Sequence, residues 1–101
     1  MYKQVTELAF HGNWVALLRL LKEHPQFINV VSESKGYSPL HQAAWHGANL
    51  AVMGELLALG ADRRLKTHNT EQTAQDIAME KHADRSDLEY ILAQGERTLA
   101  Q

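Results

Sequence analysis

The chain of 101 residues contains no cysteine. That excludes a disulfide, a cysteine zinc site and a thiol nucleophile, and it fits a reducing cytosol. No apolar run approaches the ~18 residues that a membrane helix needs, and the N-terminus M-Y-K-Q-V-T-E-L has no apolar signal core. A soluble cytoplasmic protein with no membrane partner is expected. A strongly basic balance is missing too. The net charge of −2 argues against nucleic acid as a partner, because that binding rests on a cationic surface. No segment is low in complexity, and no linker is long enough to separate two domains. Residues 1–101 are expected to form one domain with one modest core.

Catalytic signatures are absent as well. There is no Gly-rich phosphate loop, no H-E-x-x-H and no G-x-S-x-G. The chain is not expected to be an enzyme, and no cofactor is expected. The six histidines raise the question of a metal. His41 and His46 are five apart on one helix, which puts them about 140° apart and unable to share an ion. His11 and His46 fall on neighbouring units and could approach each other. A zinc ion still needs about three or four ligands, and no cysteine or well-placed carboxylate joins them. No metal site is expected.

What the chain does contain is periodic. L-A-F-H-G at 8–12 matches A-A-W-H-G at 43–47, and S-P-L-H-Q-A at 38–43 matches T-A-Q-D-I-A at 73–78, both at a spacing of 35. Paired apolar positions recur at Leu20-Leu21, Leu56-Leu57 and Ile91-Leu92. Asn13, Asn49 and Asp84 each precede those pairs by seven residues and are suitable N-caps. Ser86 competes with Asp84, since Ser86-x-x-Glu89 makes a capping box. Six helices are predicted, over roughly 3–11, 13–24, 39–46, 49–59, 74–81 and 85–94. Val15, Leu18 and Leu21, then Val52, Leu56 and Leu59, then Leu88, Ile91 and Leu92, form the apolar faces of the second helices. Ala9, Ala43, Ala44 and Ala78 keep the first helices narrow enough to approach closely. Gly54, in mid-helix, should cost on the order of 1 kcal/mol relative to alanine.

The central stretch carries the clearest punctuation. Ser38 caps a helix, Pro39 takes its first position, Gly47 stops it, Asn49 caps the next and Gly60 ends that one. Gly95 occupies the matching place in the last unit. Together with S-P-L-H-Q-A, Leu56-Leu57 and Gly60-Ala61-Asp62, this stretch resembles the ankyrin repeat, whose signature is T-P-L-H-x-A in a period of about 33. The resemblance implies an all-α solenoid of stacked antiparallel helix pairs with short finger loops, in units of about 2–35, 36–70 and 71–101. The middle unit is the complete one. About three units are the minimum for a stable stack, so a stability of roughly 5–10 kcal/mol is expected.

There are departures from the pattern. Arg63-Arg64 replaces the usual Val-Asn, which puts the packing of that turn in question. His82 stands where a glycine would end the fifth helix, and it would adopt a left-handed backbone only at a cost.

In ankyrin-like stacks the first helices and the turns before them line a concave face that binds partner proteins. Carrying those positions over implies a partner-binding patch of Tyr2, Phe10, His11, Lys35, Tyr37, Trp45, His46, Gln72 and Lys81. Glu80 shares the face of the third unit; Ser34, Asn69 and Thr70 share the fingertips with Lys35. Aromatic side chains dominate the patch, as they do where binding energy concentrates. Structural alternatives stand beside this reading. Phe10 lies near an open end and could cover the core, Trp45 could fold over its neighbours, and Tyr2 is close to a terminus. His41 is read as structural, since the family's imidazole at this place bonds the backbone and the cap hydroxyl, here Ser38. Arg63, Arg64, Lys66 and His68 form a basic loop cluster, either solvated or able to meet an acidic partner. The expected role is that of an inhibitor, immunity-type binder or adaptor. The alternatives are a weakly self-associating homo-oligomer that exposes apolar end faces, or a fragment of a longer array.

Overall fold

A computed structural model describes residues 1–93. Among these residues the regular elements are all helices. The helices are α1 (Tyr2–Phe10), α2 (Trp14–Glu23), α3 (Pro39–His46), α4 (Leu50–Ala58), α5 (Ala74–Lys81) and α6 (Ser86–Leu92), with a short 3-10 turn at Pro25–Phe27. Each expected helix exists; α3 and α5 have the expected bounds, and the ends of the others differ by one or two residues. Gly95 and the expected last residue of α6, at 94, lie outside the described residues.

The helices form two layers. α1, α3 and α5 pack side by side in that order, and α4 lies between α2 and α6 in the second layer. Each first helix also packs on the second helix of its own pair. Pairs set side by side at about 10 Å make an elongated body of 37 × 27 × 21 Å. The core runs between the layers and includes Val5, Leu17, Leu21, Leu40, Met53, Leu56, Ile77, Leu88 and Leu92. Ala9, Ala43, Ala44 and Ala78 are buried where the first helices meet. A larger side chain there would push the helices apart.

Val15 corrects the expected apolar face of α2. It is 72% exposed, while Leu17, Leu18 and Leu21 are buried. Val15 precedes Leu17 by two residues, about 200° round the helix, so it faces solvent.

Local chemistry sets the helix starts. The Ser38 hydroxyl accepts from the His41 N–H at 3.3 Å, and Asn49 Oδ1 accepts from the Val52 N–H at 2.9 Å. Thr73 and Asp76 form a reciprocal capping box, with bonds of 3.2 and 3.0 Å. α1 and α3 both end on left-handed glycines, Gly12 (φ 71°) and Gly47 (φ 68°). In each, the residue after the glycine bonds back into the last turn: Asn13 to Leu8 and Ala48 to Ala43.

Two expectations about the third pair are overturned. His82 has φ −139° and takes no left-handed backbone. Asp84 does not cap α6, and no Ser86–Glu89 box forms. The N-cap residue is Arg85, which gives no side-chain cap. Its guanidinium instead grips Asp87 through two bonds of 3.0 and 2.9 Å and reaches the Gly47 carbonyl at 3.1 Å. This pairing raises the Arg85 pKa and lowers that of Asp87.

The turns before α3 and α5 repeat each other. Ser32 N–H donates to the Tyr37 carbonyl, and the Ser32 hydroxyl accepts from the Tyr37 N–H. Thr67 and Gln72 make the same two bonds. The left-handed residue of the first turn is Gly36 (φ 72°); that of the second is Glu71 (φ 51°). A non-glycine residue there costs about 1 kcal/mol. Glu71→Gly is therefore expected to raise stability by several tenths of a kcal/mol to about 1 kcal/mol. Urea denaturation checks this, and an unchanged midpoint would mean that the turn carries no strain.

Gly54 is a different case. A methyl group added there meets nothing within 4 Å, so no close contact explains the glycine.

Candidate functional site

Six of the nine predicted patch residues come together. Phe10, His11, Lys35, Tyr37, Trp45 and His46 line one groove of 660 Å³. It runs along the outer faces of α1 and α3 and is closed at one side by the turn before α3. Helical spacing explains the grouping. Thr6 and Phe10 are one turn apart on α1, and Gln42, Trp45 and His46 are one turn apart on α3.

Trp45 is the centre of the aromatic set. Its ring meets Tyr37 edge-on at 6.1 Å between centroids, and the Lys81 ammonium sits 4.2 Å above its face. Trp45 is still 43% exposed, and Phe10 is 62% exposed. Apolar surface of this kind is costly in water and favourable to cover. Tyr37 is half-buried. Burial, and then the charge of Glu80, push its hydroxyl pKa upward, so the phenol stays a hydrogen-bond donor.

Three predicted residues fall outside this lining. The Tyr2 hydroxyl donates to the Val31 carbonyl and ties α1 to the following loop. The Gln72 side chain donates to Glu80 at 2.8 Å and accepts from Thr70 at 3.1 Å. Lys81 reaches the site only through Trp45. The groove also includes Thr6, Glu7, Ser32, Ser34 and Gln42. Thr6, Glu7, Ser32 and Gln42 were missed in the sequence reading. The signal for Thr6 and Gln42 was available, because each sits three or four residues before an aromatic on the same helix. Glu7 and Lys35 both line the groove, so it carries charges of both signs.

His46 has a structural task as well as a place in the groove. Its Nε2 donates to the Phe10 carbonyl at 2.9 Å, and its ring lies edge-on to Trp14. His41 is fully structural. Ser38 N–H donates to its Nδ1 at 3.1 Å. The proton is therefore on Nε2, which is shared by the Leu65 and Gln72 carbonyls at 3.0 and 3.1 Å. Burial lowers the pKa of His41, and the two backbone bonds oppose that only in part.

The basic loop is partly committed to the fold. Arg63 Nε donates to the Ile91 carbonyl at 3.0 Å, and the His68 ring covers Gly36. Arg64 and Lys66 remain exposed. Among the described residues no group of three His, Asp or Glu side chains is placed to hold a metal ion, and no helix is long and apolar enough to cross a membrane. No protein-family model matches the chain, and a search of curated proteins finds no match.

Proposed function

We propose that the chain is a small cytoplasmic ankyrin-type repeat protein that binds another protein through the groove, and that it is not an enzyme. The repeat reading is supported by features that recur 35 or 36 residues apart. These are the hydroxyl-anchored turns, the capped first helices, and the histidine contacts between neighbouring pairs. The arrangement of first helices in one layer and second helices in another is compatible with a short solenoid.

The observation that carries the binding reading is the exposure of Phe10 and Trp45 within a single groove. Such a cluster on a small protein marks an interaction surface. Trp45 is the expected anchor, with Tyr37 holding its orientation and Lys35 and Glu7 setting partner charge at the rim. An inhibitor, immunity-type or adaptor role would use the surface in the same way.

Trp45→Ala should weaken partner binding by about 2 kcal/mol, roughly 30-fold, while the helical circular dichroism is kept. The partner is found by pull-down from native cell extract with wild-type protein and with a folded Trp45→Ala/Tyr37→Ala variant. A protein retained by wild type alone supports the groove, and calorimetry with it gives the fold-change. Equal retention by both proteins removes the groove as the binding site.

A further inference from the structure

The third helix pair reaches back to the groove at one residue. Lys81 ends α5 and His82 follows it. Both side chains take hold of Trp45, in the last turn of α3. The Lys81 ammonium lies 4.2 Å from the centre of the indole ring. The His82 Nε2 donates to the Trp45 carbonyl at 2.9 Å. The His82 ring also lies against Gly47, where a Cβ would fall 2.8 Å from it. Gly47 in turn gives its carbonyl to Arg85, the N-cap residue of α6, at 3.1 Å. The end of α3 is thus gripped at its backbone by two residues of the third pair, and the ring of Trp45 by one.

Lys81 is committed to the ring. Its neighbour Glu80 is engaged by Gln72 at 2.8 Å, and among the described residues no carboxylate forms an ion pair with Lys81. A cation over an exposed indole shifts an equilibrium by about 2–5-fold. The third pair also has the weaker ends. α6 starts with no side-chain cap, and α5 ends without the left-handed residue that closes α1 and α3. Segments that lack such closures open locally more readily than the rest of a fold. When α5 and α6 open, Trp45 loses the cation on its face and the donor on its carbonyl together.

We propose that Lys81 is the positioning residue for Trp45, with His82 holding α5 against α3 so that the contact forms. The order of the third pair and the readiness of the groove to bind are then one coupled equilibrium. Coupling of this kind is reciprocal. An ordered third pair steadies the indole for a partner, and a partner that covers Trp45 protects α5 and α6 from opening. Lys81 lies outside the groove lining, so it acts on binding through the ring. The effect on binding rests on the groove reading of the function, whereas the hold of Lys81 on Trp45 is measured without a partner.

The test compares Lys81→Met, which keeps an apolar stem and loses the charge, with Lys81→Arg, which keeps a cation. Amide hydrogen exchange of the unbound protein is the first readout. Lys81→Met and Trp45→Ala should each speed exchange in α5 and α6 by about 2–5-fold and leave α1 and α2 unchanged. The double variant should add nothing to either single one. The heteronuclear NOE of the Trp45 indole N–H is the second readout. It should fall in Lys81→Met and keep its wild-type value in Lys81→Arg. Unchanged exchange in α5 and α6, an equal rise in every helix, or an NOE that ignores the charge would overturn the proposal. With the partner retained in the Trp45-dependent pull-down, Lys81→Met should lose about 2–5-fold in affinity and Lys81→Arg should restore it. A partner affinity that Lys81→Met leaves unchanged would overturn the coupling to binding. Retention that ignores Trp45 would remove the groove reading, and the exchange and NOE results would still decide the positioning role.

Discussion

Replacing Leu56 with alanine is expected to destabilise the protein by about 2–5 kcal/mol. Leu56 is fully buried in α4, the central helix of the second layer, which packs on α2, α3 and α6. A cavity there loosens the packing of α4 on its neighbours. The Leu56 carbonyl also receives the N–H of Ala61 at 3.1 Å, which closes the end of α4. A domain of this size holds roughly 5–10 kcal/mol in total, so this one change removes from about a fifth to the whole of it. The thermal midpoint should fall by about 10–30 °C. Val15→Ala, on the exposed side of α2, should change stability by no more than about 0.5 kcal/mol. Urea denaturation of both variants checks the contrast. A loss below 1 kcal/mol for Leu56→Ala would mean that the layers do not meet at this residue.

The helix starts and stops of the central pair were legible because their chemistry is local. Ser38, Pro39, Gly47 and Asn49 act within four residues of themselves. The third pair was read less well, because its groups answer to residues far along the chain. Arg85 bonds the carbonyl of Gly47, 38 residues away, and His82 that of Trp45, 37 residues away. Seen locally, His82 is a poor substitute for a helix-ending glycine. Seen in the fold, it closes the end of the preceding first helix. Arg63 makes the same point. It breaks the expected turn pattern, but its guanidinium bonds the Ile91 carbonyl across to α6.

The groove was partly visible for a similar reason. Aromatic residues at matching places in successive units had to fall on one side if the units stacked. The sequence could not show that Tyr2 would spend its hydroxyl on the Val31 carbonyl, or Gln72 its side-chain amide on Glu80 and Thr70. Nor could it show that Lys81 would lie over Trp45. The residues best placed to bind are those whose exposed surface the fold does not use. Phe10 and Trp45 meet that condition, whereas His46 meets it only on the side of its ring that faces away from Phe10.

His41→Ala should cost about 3 kcal/mol or more, although it removes no large apolar side chain. The imidazole joins three segments: the cap residue Ser38, Leu65 in the loop after α4, and Gln72 before α5. Without it the Ser38 N–H and the Leu65 carbonyl lose these partners, at about 1–3 kcal/mol for each buried group left unpaired. Gln72 keeps its bond from Thr67. The same geometry predicts a pH dependence. The folded protein holds His41 neutral, because protonation at Nδ1 would set one N–H against another. The unfolded chain takes up that proton near the usual imidazole value of about 6.5. Below that pH the unfolded state binds more protons, so stability falls as the pH drops from 6.5 toward 5, and this contribution is fully present above 6.5. Urea midpoints for wild type and His41→Ala between pH 5 and 7.5 provide the test. Wild type should lose stability more steeply on acidification. Parallel curves would mean that the buried imidazole does not resist protonation in the fold.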